Sequence, residues 1–363
     1  MKNNNQQSAA AGEHKRRVRY KGKYPRKFEE KYKELQPEKY KDTAAHIIQK
    51  GNTPAGTHRP ICVQEILEFL DVQPGQIGAD ATLGYGGHTQ KLLDCLNGEG
   101  HLYSLDVDPI ESAKTESRLR AEGYGETVWT VCLMNFADIA KVAEKAGKLD
   151  FVLADLGVSS MQIDDPKRGF SFREDGPLDL RLNPQAGISA AERLLEVDEQ
   201  ELAGMLAENS DEPLAAEIAK AVMTAQRRKQ PLETTGELRE LIERVVLARK
   251  PEDPKEAVKK TCQRVFQALR IDVNSEFEVL DSFLEALPHI LKPGGKAAIL
   301  TFHSGEDRMV KKSFQYYYRN GVYSEIAKDV IRPSAQECAS NPRARSTKFR
   351  WAVRSAEIED GQG

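Results

Sequence analysis

Two segments near the start of the globular part of the chain constrain its fold most strongly. The first reads Asp80-Ala-Thr-Leu-Gly-Tyr-Gly-Gly-His88, and the second, Asp106-Val-Asp108, follows after a predicted helix and strand. This order is typical of a strand, a glycine turn, a helix start and an acidic residue that ends the next strand. Glycines let the backbone approach a ligand closely, and the acid can accept hydrogen bonds from a ribose. The pair therefore predicts a nucleoside-cofactor site on an open α/β sheet.

Strand and helix patterns alternate through much of the chain, which predicts a doubly wound, Rossmann-like α/β sheet. Pro109 is typical of the first position of the helix that follows the second strand. The expected strands are short apolar segments at Ile77–Thr82, His101–Asp106, Thr127–Leu133, Leu149–Leu156, Lys296–Phe302 and 348–354.

Strand signals almost stop between about residues 160 and 290, which predicts an all-helical insertion in the sheet domain. Ser189-Ala-Ala-Glu192 and Thr234-Thr-Gly-Glu237 have the spacing of capping boxes, and apolar residues at helical spacing follow each of them. The expected organisation is a basic extension without a core over 1–57, a first part of the sheet domain over 58–162, a helical insertion for the substrate over 163–270, a second part of the sheet domain over 271–357, and a tail over 358–363.

Composition limits the class of protein and its surroundings. The 363 residues carry a net charge of -3, and no apolar run approaches the 18 residues of a membrane-spanning helix. The N-terminus is polar and basic, unlike a secretory signal. Five cysteines are scattered without a CxxC pair, which indicates free thiols in a reducing compartment rather than a metal site. We therefore expect a cytoplasmic protein.

Positive charge is concentrated in two places. Residues 15–27 contain eight lysines and arginines and no acid, with Tyr20 and Tyr24 between them. The second group comprises Arg343, Arg345, Lys348 and Arg350. Such clusters suit a polyanion because contacts with phosphates release counterions. A solvated tail explains the first run equally well.

The glycine turn favours one class of cofactor. Gly84-Tyr-Gly-Gly87 lacks the G-x-G-x-x-G spacing that a dinucleotide pyrophosphate requires. A compact turn that ends in His88 suits an amino-acid tail better, which favours S-adenosylmethionine over a nicotinamide cofactor. Asp155 ends the fourth strand, so we expect it at the same edge of the sheet, facing the reacting end of the cofactor. Asp80 and Asp106 have an alternative role as cap or turn residues.

Polar, glycine-rich runs follow the strands and indicate binding loops. In the run from Arg168 to Arg181, Phe170 and Phe172 could stack on a base or pack the loop itself. In the run from Thr301 to Arg308, His303 could accept a proton or be a hydrogen-bonded structural histidine. The adjacent Glu306-Asp307-Arg308 could form an ion-paired helix cap.

Taken together, these runs resemble the RsmH (MraW) family of S-adenosylmethionine-dependent methyltransferases, whose members methylate N4 of a cytidine in the decoding centre of 16S ribosomal RNA. The resemblance covers about residues 58–355. The matching segments, in order, are Gly86-Gly-His88, Asp155-Leu-Gly-Val-Ser-Ser160, Arg168-Gly-Phe-Ser-Phe172, Asp175-Gly-Pro-Leu-Asp179, Phe266-Gln-Ala-Leu-Arg-Ile271 with Val273-Asn274, Phe302-His-Ser304 and Asn341-Pro-Arg-Ala-Arg-Ser346.

The resemblance implies a class I methyltransferase sheet with a helical insertion, and S-adenosylmethionine as cofactor. The cofactor contacts that it implies are Gly86, Gly87 and His88 in the turn, Asp106 at the ribose, Phe136 near the adenine, and Asp155 and Gln162 near the methionine end.

The chain departs from the family pattern at several positions. Ala81 and Leu83 replace the usual glycine and phenylalanine of the first turn, Met161 replaces a proline, and Gly305 replaces a leucine. The basic N-terminal extension is also not typical. None of these changes removes a cofactor contact. Gly305 and the extension leave room for a divergent paralogue that methylates a different RNA cytidine.

The implied chemistry needs a proton acceptor. The amine of cytosine is a poor nucleophile because its lone pair is delocalised, so a group that takes its proton would help. Asp155 is the first candidate, and His303 is the second. The base must leave its stack to be methylated. The residues expected to hold RNA are Arg168, Phe170, Phe172, Arg173, Arg343 and Arg345.

Rival functions are a DNA or protein methyltransferase and a non-catalytic protein that binds RNA during ribosome assembly. A DNA amino-methyltransferase usually has an Asn/Asp-Pro-Pro-aromatic run where this chain has Asp155-Leu-Gly-Val158. A non-catalytic protein would have lost cofactor residues, and none is lost. We expect 16S rRNA in the small ribosomal subunit as the partner, and no membrane. A homodimer is one assembly that the sequence allows.

Overall fold

The computed structural model describes residues 60–356. The expected basic extension over 1–57 and the tail over 358–363 lie outside the described residues. Among the helices of residues 60–356, none combines the length and the apolar character needed to cross a bilayer.

Seven strands form one mixed sheet. They are β1 (Ile77–Asp80), β2 (His101–Asp106), β3 (Trp129–Leu133), β4 (Leu149–Asp155), β5 (Leu291–Thr301), β6 (Tyr323–Ile326) and β7 (Lys348–Arg354). Their order is β3-β2-β1-β4-β5-β7-β6. The first five strands are parallel, whereas β7 runs antiparallel to β5 and β6. This is the doubly wound, Rossmann-like α/β sheet that the sequence predicted.

The strand order reverses beside β1. The chain winds outward from β1 to β2 and β3, and then crosses back to β4 on the other side of β1. In open α/β sheets a crevice forms outside the carboxyl ends of the strands at such a reversal, and ligands bind there. The topology therefore places the glycine turn after β1, Asp106 and Asp155 at one crevice.

The predicted strands are all present, with two differences. β5 begins at Leu291 rather than Lys296, and its register with β4 shifts between Leu149 and Phe151. β6 was not predicted, because four residues of mixed polarity at the edge of a sheet carry little periodic signal.

Thirteen α-helices lie within residues 60–356. They are α1 (Val63–Leu70), α2 (Gly87–Leu96), α3 (Pro109–Ala121), α4 (Ala140–Ala146), α5 (Ser160–Asp164), α6 (Ala190–Glu196), α7 (Glu199–Ser210), α8 (Ala215–Arg227), α9 (Thr235–Ala248), α10 (Pro254–Val273), α11 (Glu276–Ile290), α12 (Ser304–Arg319) and α13 (Ala335–Ser340). Short 3₁₀ turns follow β3, α5 and α13.

Two apolar clusters cover the sheet. One includes Phe283 and Leu287 of α11, and the other includes Leu92 of α2 and the fully buried Trp129. Packing at the centre of the sheet is tight, because a Cβ added at Gly78 would lie 2.2 Å from Cζ of Phe151. A rigid sheet of this kind can hold the residues at its edge in fixed positions.

The helical segment between β4 and β5 has an apolar cluster of its own. It is built from residues such as Leu194, Ile218, Leu241 and Phe266 on α6 and α8–α10. The predicted helical insertion is therefore present. The domain boundaries remain a prediction, and α10 continues without a break past the expected boundary at residue 270 to Val273.

Candidate active site

A cavity of about 550 Å³ opens at the carboxyl ends of the parallel strands. One side is formed by the glycine turn and the ends of β2 and β4. The other side is formed by α10, α11 and the loop that contains Phe170 and Phe172. The structure brings most of the predicted site residues to this cavity: Gly86, Gly87, His88, Asp106, Phe136, Asp155, Gln162, Phe170, Phe172, Arg173, His303 and Arg343. Arg168 and Arg345 do not line it.

The glycine turn is held against α3. Gly86 is the N-cap of α2 and has a φ of 76°, a conformation that disfavours other residues. A Cβ at Gly86 would also lie 2.8 Å from Cγ2 of Thr115. Thr115 donates a hydrogen bond to the carbonyl of Gly84 at 2.6 Å, and Arg118 donates to the carbonyl of Tyr85. The turn therefore presents backbone to the cavity in a fixed shape.

Asp106 ends β2 with its carboxylate fixed by the backbone. Oδ2 accepts from the N–H of Gly84 and Oδ1 accepts from the N–H of Asp108, both at 2.8 Å. Burial raises the pKa of Asp106 to about 6, although the two N–H donors act against that shift. An ionised carboxylate has about four acceptor sites, so two remain for further donors such as ribose hydroxyls.

Asp80 is fully buried and already bonded. It accepts from Thr89 Oγ1 at 2.6 Å and from the N–H of Thr82 at 3.0 Å. Thr89 also lies 3.1 Å from Ser104 Oγ, which in turn accepts from the indole of Trp129. Asp80 therefore holds the first turn onto the sheet and does not face the cavity.

A second buried aspartate organises the loop after β4. Oδ1 of Asp108 caps α3 by accepting from the N–H groups of Ile110 and Glu111. Its Oδ2 accepts from Gln162 Nε2 and from Arg168 Nη1, both at 2.8 Å. Gln162 thus lines the cavity at 8% exposure while joining α5 to α3.

The structure does not favour the predicted contact of Arg168 with RNA. The side chain is buried, paired with Asp108, and its Nη2 donates to the carbonyls of Arg181 and Leu182. A buried carboxylate needs such a partner because an unpaired charge inside a protein is costly. Arg168 is therefore structural, although its run of sequence has the composition of an RNA-binding loop.

Asp155 differs from the other aspartates because one of its oxygens has no partner. Its backbone N–H donates to Thr82 Oγ1, and Oδ2 lies 3.5 Å from Nε2 of His88. Oδ1 of Asp155 is buried and has no hydrogen-bond partner among residues 60–356, and the same is true of Nε2 of His88. Two polar groups without partners at the lining of a cavity indicate that a ligand completes their hydrogen bonding.

His303 is a helix cap with a buried acidic partner. As N-cap of α12, its Nδ1 accepts from the N–H of Glu306 at 3.5 Å, and its Nε2 lies 3.1 Å from Glu306 Oε1. Burial alone would raise the pKa of Glu306, but His303, Arg270 and the N–H of Phe302 outweigh it and hold that pKa below its usual range. The geometry favours the structural alternative for His303. The expected ion pairing within Glu306-Asp307-Arg308 is not found, because Asp307 pairs instead with Lys348 and Arg350 of β7.

The aromatic and basic candidates have different surroundings. Phe136 lies in the turn after β3, with its ring 5.2 Å from Phe283. Phe170 is buried in the helical cluster, and the ring of Phe172 is 5.5 Å from Phe266. Arg173 is exposed at the mouth of the cavity.

The two predicted C-terminal arginines also differ. Arg343 lines the cavity and pairs with Asp164 at 3.1 Å. Arg345 is exposed on the surface outside the cavity. Of the two, only Arg343 has a place in the wall of the site.

The sequence did not reveal the charged wall opposite the sheet. Arg270 forms a bidentate pair with Glu276 at 2.7 and 2.8 Å, and both line the cavity. Glu276, His303 and Glu306 offer ligand atoms within 4.8 Å of one another, but the Arg270 guanidinium already balances this charge, so we assign no metal there. Asn274 lies beside this wall and binds the backbone of Leu180 and Leu182. In the sequence, the run that contains Arg270 and Asn274 stands out only as a match to the family pattern.

The sheet and this edge of it define a class of protein. A doubly wound sheet with a tight glycine turn after β1, a ribose-type carboxylate at the end of β2 and a polar group at the end of β4 is the arrangement of an S-adenosylmethionine-dependent methyltransferase. Residues 55–355 match the MraW methylase family, and the chain belongs to that family. The resemblance seen in the sequence is thereby confirmed, and S-adenosylmethionine is the cofactor.

Two close relatives extend over nearly the whole chain. The "Ribosomal RNA small subunit methyltransferase H 1" of Lachnoclostridium phytofermentans is 64% identical over 342 residues, which cover 94% of this chain and 93% of that protein. The protein of the same name from Agathobacter rectalis is 63% identical over 343 residues and is covered to 98%. Because 94% of this chain is matched, both alignments reach into the basic N-terminal segment.

A more distant relative has a shorter match. The "Ribosomal RNA small subunit methyltransferase H" of Thioalkalivibrio sulfidiphilus is 40% identical over 321 residues, which cover 84% of this chain and 99% of that protein. The similarity therefore extends along the whole length of that protein but leaves more of this chain unmatched.

Proposed function

We propose that this protein methylates N4 of a cytidine in the decoding centre of 16S ribosomal RNA. The names of its relatives support small-subunit rRNA as substrate, and the resemblance of its motifs supports the cytidine and its position. The observation that carries the proposal is the buried, unpartnered Oδ1 of Asp155 at the carboxyl end of β4. This atom can accept a proton from an amine that enters the cavity.

The residues of the sheet edge fit the cofactor. Asp106 has acceptor sites left for the ribose hydroxyls, Phe136 offers an aromatic face for the adenine, and His88 has an unpartnered nitrogen. When bound, S-adenosylmethionine supplies an electrophilic methyl group on a sulfonium. The chain needs to align donor and acceptor rather than activate the donor, and such alignment can account for much of a rate enhancement.

Asp155 is the proposed proton acceptor. A hydrogen bond from the cytosine amine to Oδ1 helps to localise the nitrogen lone pair, and the same oxygen takes the proton when nitrogen forms its bond to the methyl carbon. Nε2 of His303 also has no hydrogen-bond partner among the described residues, but it faces Glu306 Oε1 at 3.1 Å and its Nδ1 caps α12, so His303 is less suited to this task.

The other wall of the cavity is the proposed substrate side. A cytosine must leave its stack to enter, and aromatic rings hold extruded bases well. Phe172 is half-buried and lines the cavity, and Arg173 is exposed beside it. Phe170 contributes mainly to packing, because it is buried in the apolar cluster of the helical segment.

The test is a methyl-transfer assay with product identification. Purified protein and labelled S-adenosylmethionine are incubated with small ribosomal subunits that lack this methylation, and the digested nucleosides are identified by mass. N4-methylcytidine at the decoding-centre cytidine is the expected result. Label at a different cytidine would indicate a divergent paralogue. Cofactor binding without any transfer would favour a non-catalytic RNA-binding role.

A further inference from the structure

α12 begins at the cavity with His303 and has a face that the proposed chemistry does not use. We infer that this outer face binds the phosphate backbone of the RNA substrate beyond the methylated nucleotide. The inference rests on the proposed function and adds a second contact surface to it. The face is defined by four basic residues, Arg308, Lys311, Lys312 and Arg319, together with Tyr316 and Tyr318, and is called the α12 basic face below.

The cations of the α12 basic face are exposed and have no partners in the described part of the chain. The side chains of Arg308, Lys311, Lys312 and Arg319 form no ion pair or hydrogen bond with residues 60–356. Asp307 lies four residues before Lys311 but does not pair with it, because Lys348 and Arg350 neutralise Asp307 at 3.1 and 2.6 Å. Unpaired cations on one face attract a polyanion, since nothing in the protein competes for them.

Helical spacing aligns these residues into a stripe. Lys311, Lys312 and Arg319 follow Arg308 by three, four and eleven residues, which places all four on one side of a helix. The 16 residues of α12 span about 24 Å, at about 1.5 Å per residue. The stripe therefore leads away from the cavity mouth, and a strand whose base enters the cavity could follow it.

Two tyrosines add a second signal for nucleic acid. Tyr316 is 62% exposed and Tyr318 is 48% exposed, which is unusual for large aromatic side chains. Exposed rings beside lysines and arginines form the combination that binds single strands, because bases stack on the rings while phosphates contact the cations.

The neighbouring helix limits the path of the RNA. Burial raises the pKa of the Tyr317 hydroxyl, and the carboxylates of Glu285 and Asp281 on α11 raise it further, which shows that acidic groups lie beside this part of α12. A polyanion is repelled from that side. Those carboxylates make the α11 side less favourable for a polyanion than the α12 basic face.

The test combines all four changes in one variant, Arg308→Gln, Lys311→Gln, Lys312→Gln and Arg319→Gln, because glutamine keeps a good helix propensity. A Lys311→Gln/Lys312→Gln pair is matched by a Lys141→Gln/Lys145→Gln control on α4, where the two lysines are also exposed. Binding of a transcript that carries the decoding-centre helix is measured against salt concentration, together with cofactor binding and methyl transfer to intact subunits.

We expect the variant with four substitutions to bind the transcript at least about tenfold more weakly than wild type at 0.1 M salt. The slope of log K against log salt concentration should become less negative by up to about three. The KM for subunits should rise, while the kcat and the cofactor Kd stay unchanged. The control pair should behave as wild type.

Unchanged RNA affinity and salt slope in the fourfold variant would overturn the inference. A loss of binding to intact subunits but not to naked transcript would also overturn it and assign the face to a ribosomal protein. These outcomes are independent of the proposed function. If the wild-type protein methylates no cytidine, the proposed function fails. The salt dependence of transcript binding still tests the α12 basic face in that case.

Discussion

The carboxyl ends of β2 and β4 present the same residue type to the same cavity but in different states. Asp106, at the end of β2, has both oxygens bonded to backbone N–H groups at 2.8 Å. Asp155, at the end of β4, leaves Oδ1 without a partner in the described chain. A carboxylate fixed by donors is suited to hold a ligand in place, whereas a carboxylate with a free oxygen is suited to take a proton. The fold brings both acids to the same cavity, and the difference in their hydrogen bonds indicates their different roles.

The largest expected effect comes from Asp155→Asn, which keeps the shape but cannot accept a proton. Loss of general-base catalysis should lower the kcat by about a hundredfold or more. The cofactor Kd should stay within about threefold of the wild-type value, because the substitution costs less than the net free energy of about one hydrogen bond. Single-turnover methyl transfer and calorimetric cofactor binding measure the two quantities. A variant with the wild-type kcat would remove Asp155 from the mechanism.

The same substitution at the other strand, Asp106→Asn, is the matched comparison. Losing one hydrogen bond to a charged group, which contributes about 1.5–3 kcal/mol, should weaken cofactor binding by about tenfold to a hundredfold. The kcat at saturating cofactor should change far less than in Asp155→Asn. A thermal melt of each variant controls for misfolding, because asparagine offers one acceptor oxygen where Asp106 uses two. If Asp106→Asn instead lowered the kcat and left the Kd unchanged, the two roles would be reversed.

The pH dependence of cofactor binding sharpens the comparison further. The pKa of Asp106 is raised by burial to about 6, and ribose hydroxyls donate to its ionised form. Binding therefore favours loss of the proton, and affinity should fall as pH falls through about 6. Between pH 7.5 and 5.5 we expect the Kd to rise about fourfold. This part of the profile should vanish in Asp106→Asn, and a slope that persists would show that Asp106 is not the titrating group.

The smallest effect is expected at His303. His303→Ala removes the cap of α12 and should cost about 1 kcal/mol of stability, or about 1–2 °C in Tm for a chain of this size. His303→Asn keeps a capping side chain and should recover most of that loss. Both variants should keep the kcat within about threefold at a temperature where they remain folded. A hundredfold loss of kcat in folded His303→Asn would make His303 the proton acceptor and contradict the assignment to Asp155.

The sequence predicted the sheet edge well because its signals are local. The glycine turn, the acids at strand ends and Pro109 each lie within a few residues of the feature that they mark. Gly86 needs its residue type for a positive φ and for the close approach of α3, so a glycine there is informative. These local rules were enough to predict the sheet domain and the place of Asp106 and Asp155.

The errors and omissions have long-range causes. Arg168 pairs with an aspartate 60 residues away, and no local pattern reveals that partner. Arg270 lines the cavity because it pairs with Glu276, at the start of the next helix, and that pairing depends on how α10 and α11 are placed. The His303 cap could have been found, since His303 and Glu306 have the spacing of a capping box. The spacing of the residues in the α12 basic face could also have been read from the sequence. The exposure of their side chains could not.

The most direct test compares both strand-end variants in one assay. Wild type, Asp155→Asn and Asp106→Asn are each given small subunits and saturating S-adenosylmethionine for a single turnover, and N4-methylcytidine is quantified by mass. The account predicts product from wild type and Asp106→Asn, and almost none from Asp155→Asn. Equal product from Asp155→Asn and wild type would contradict it.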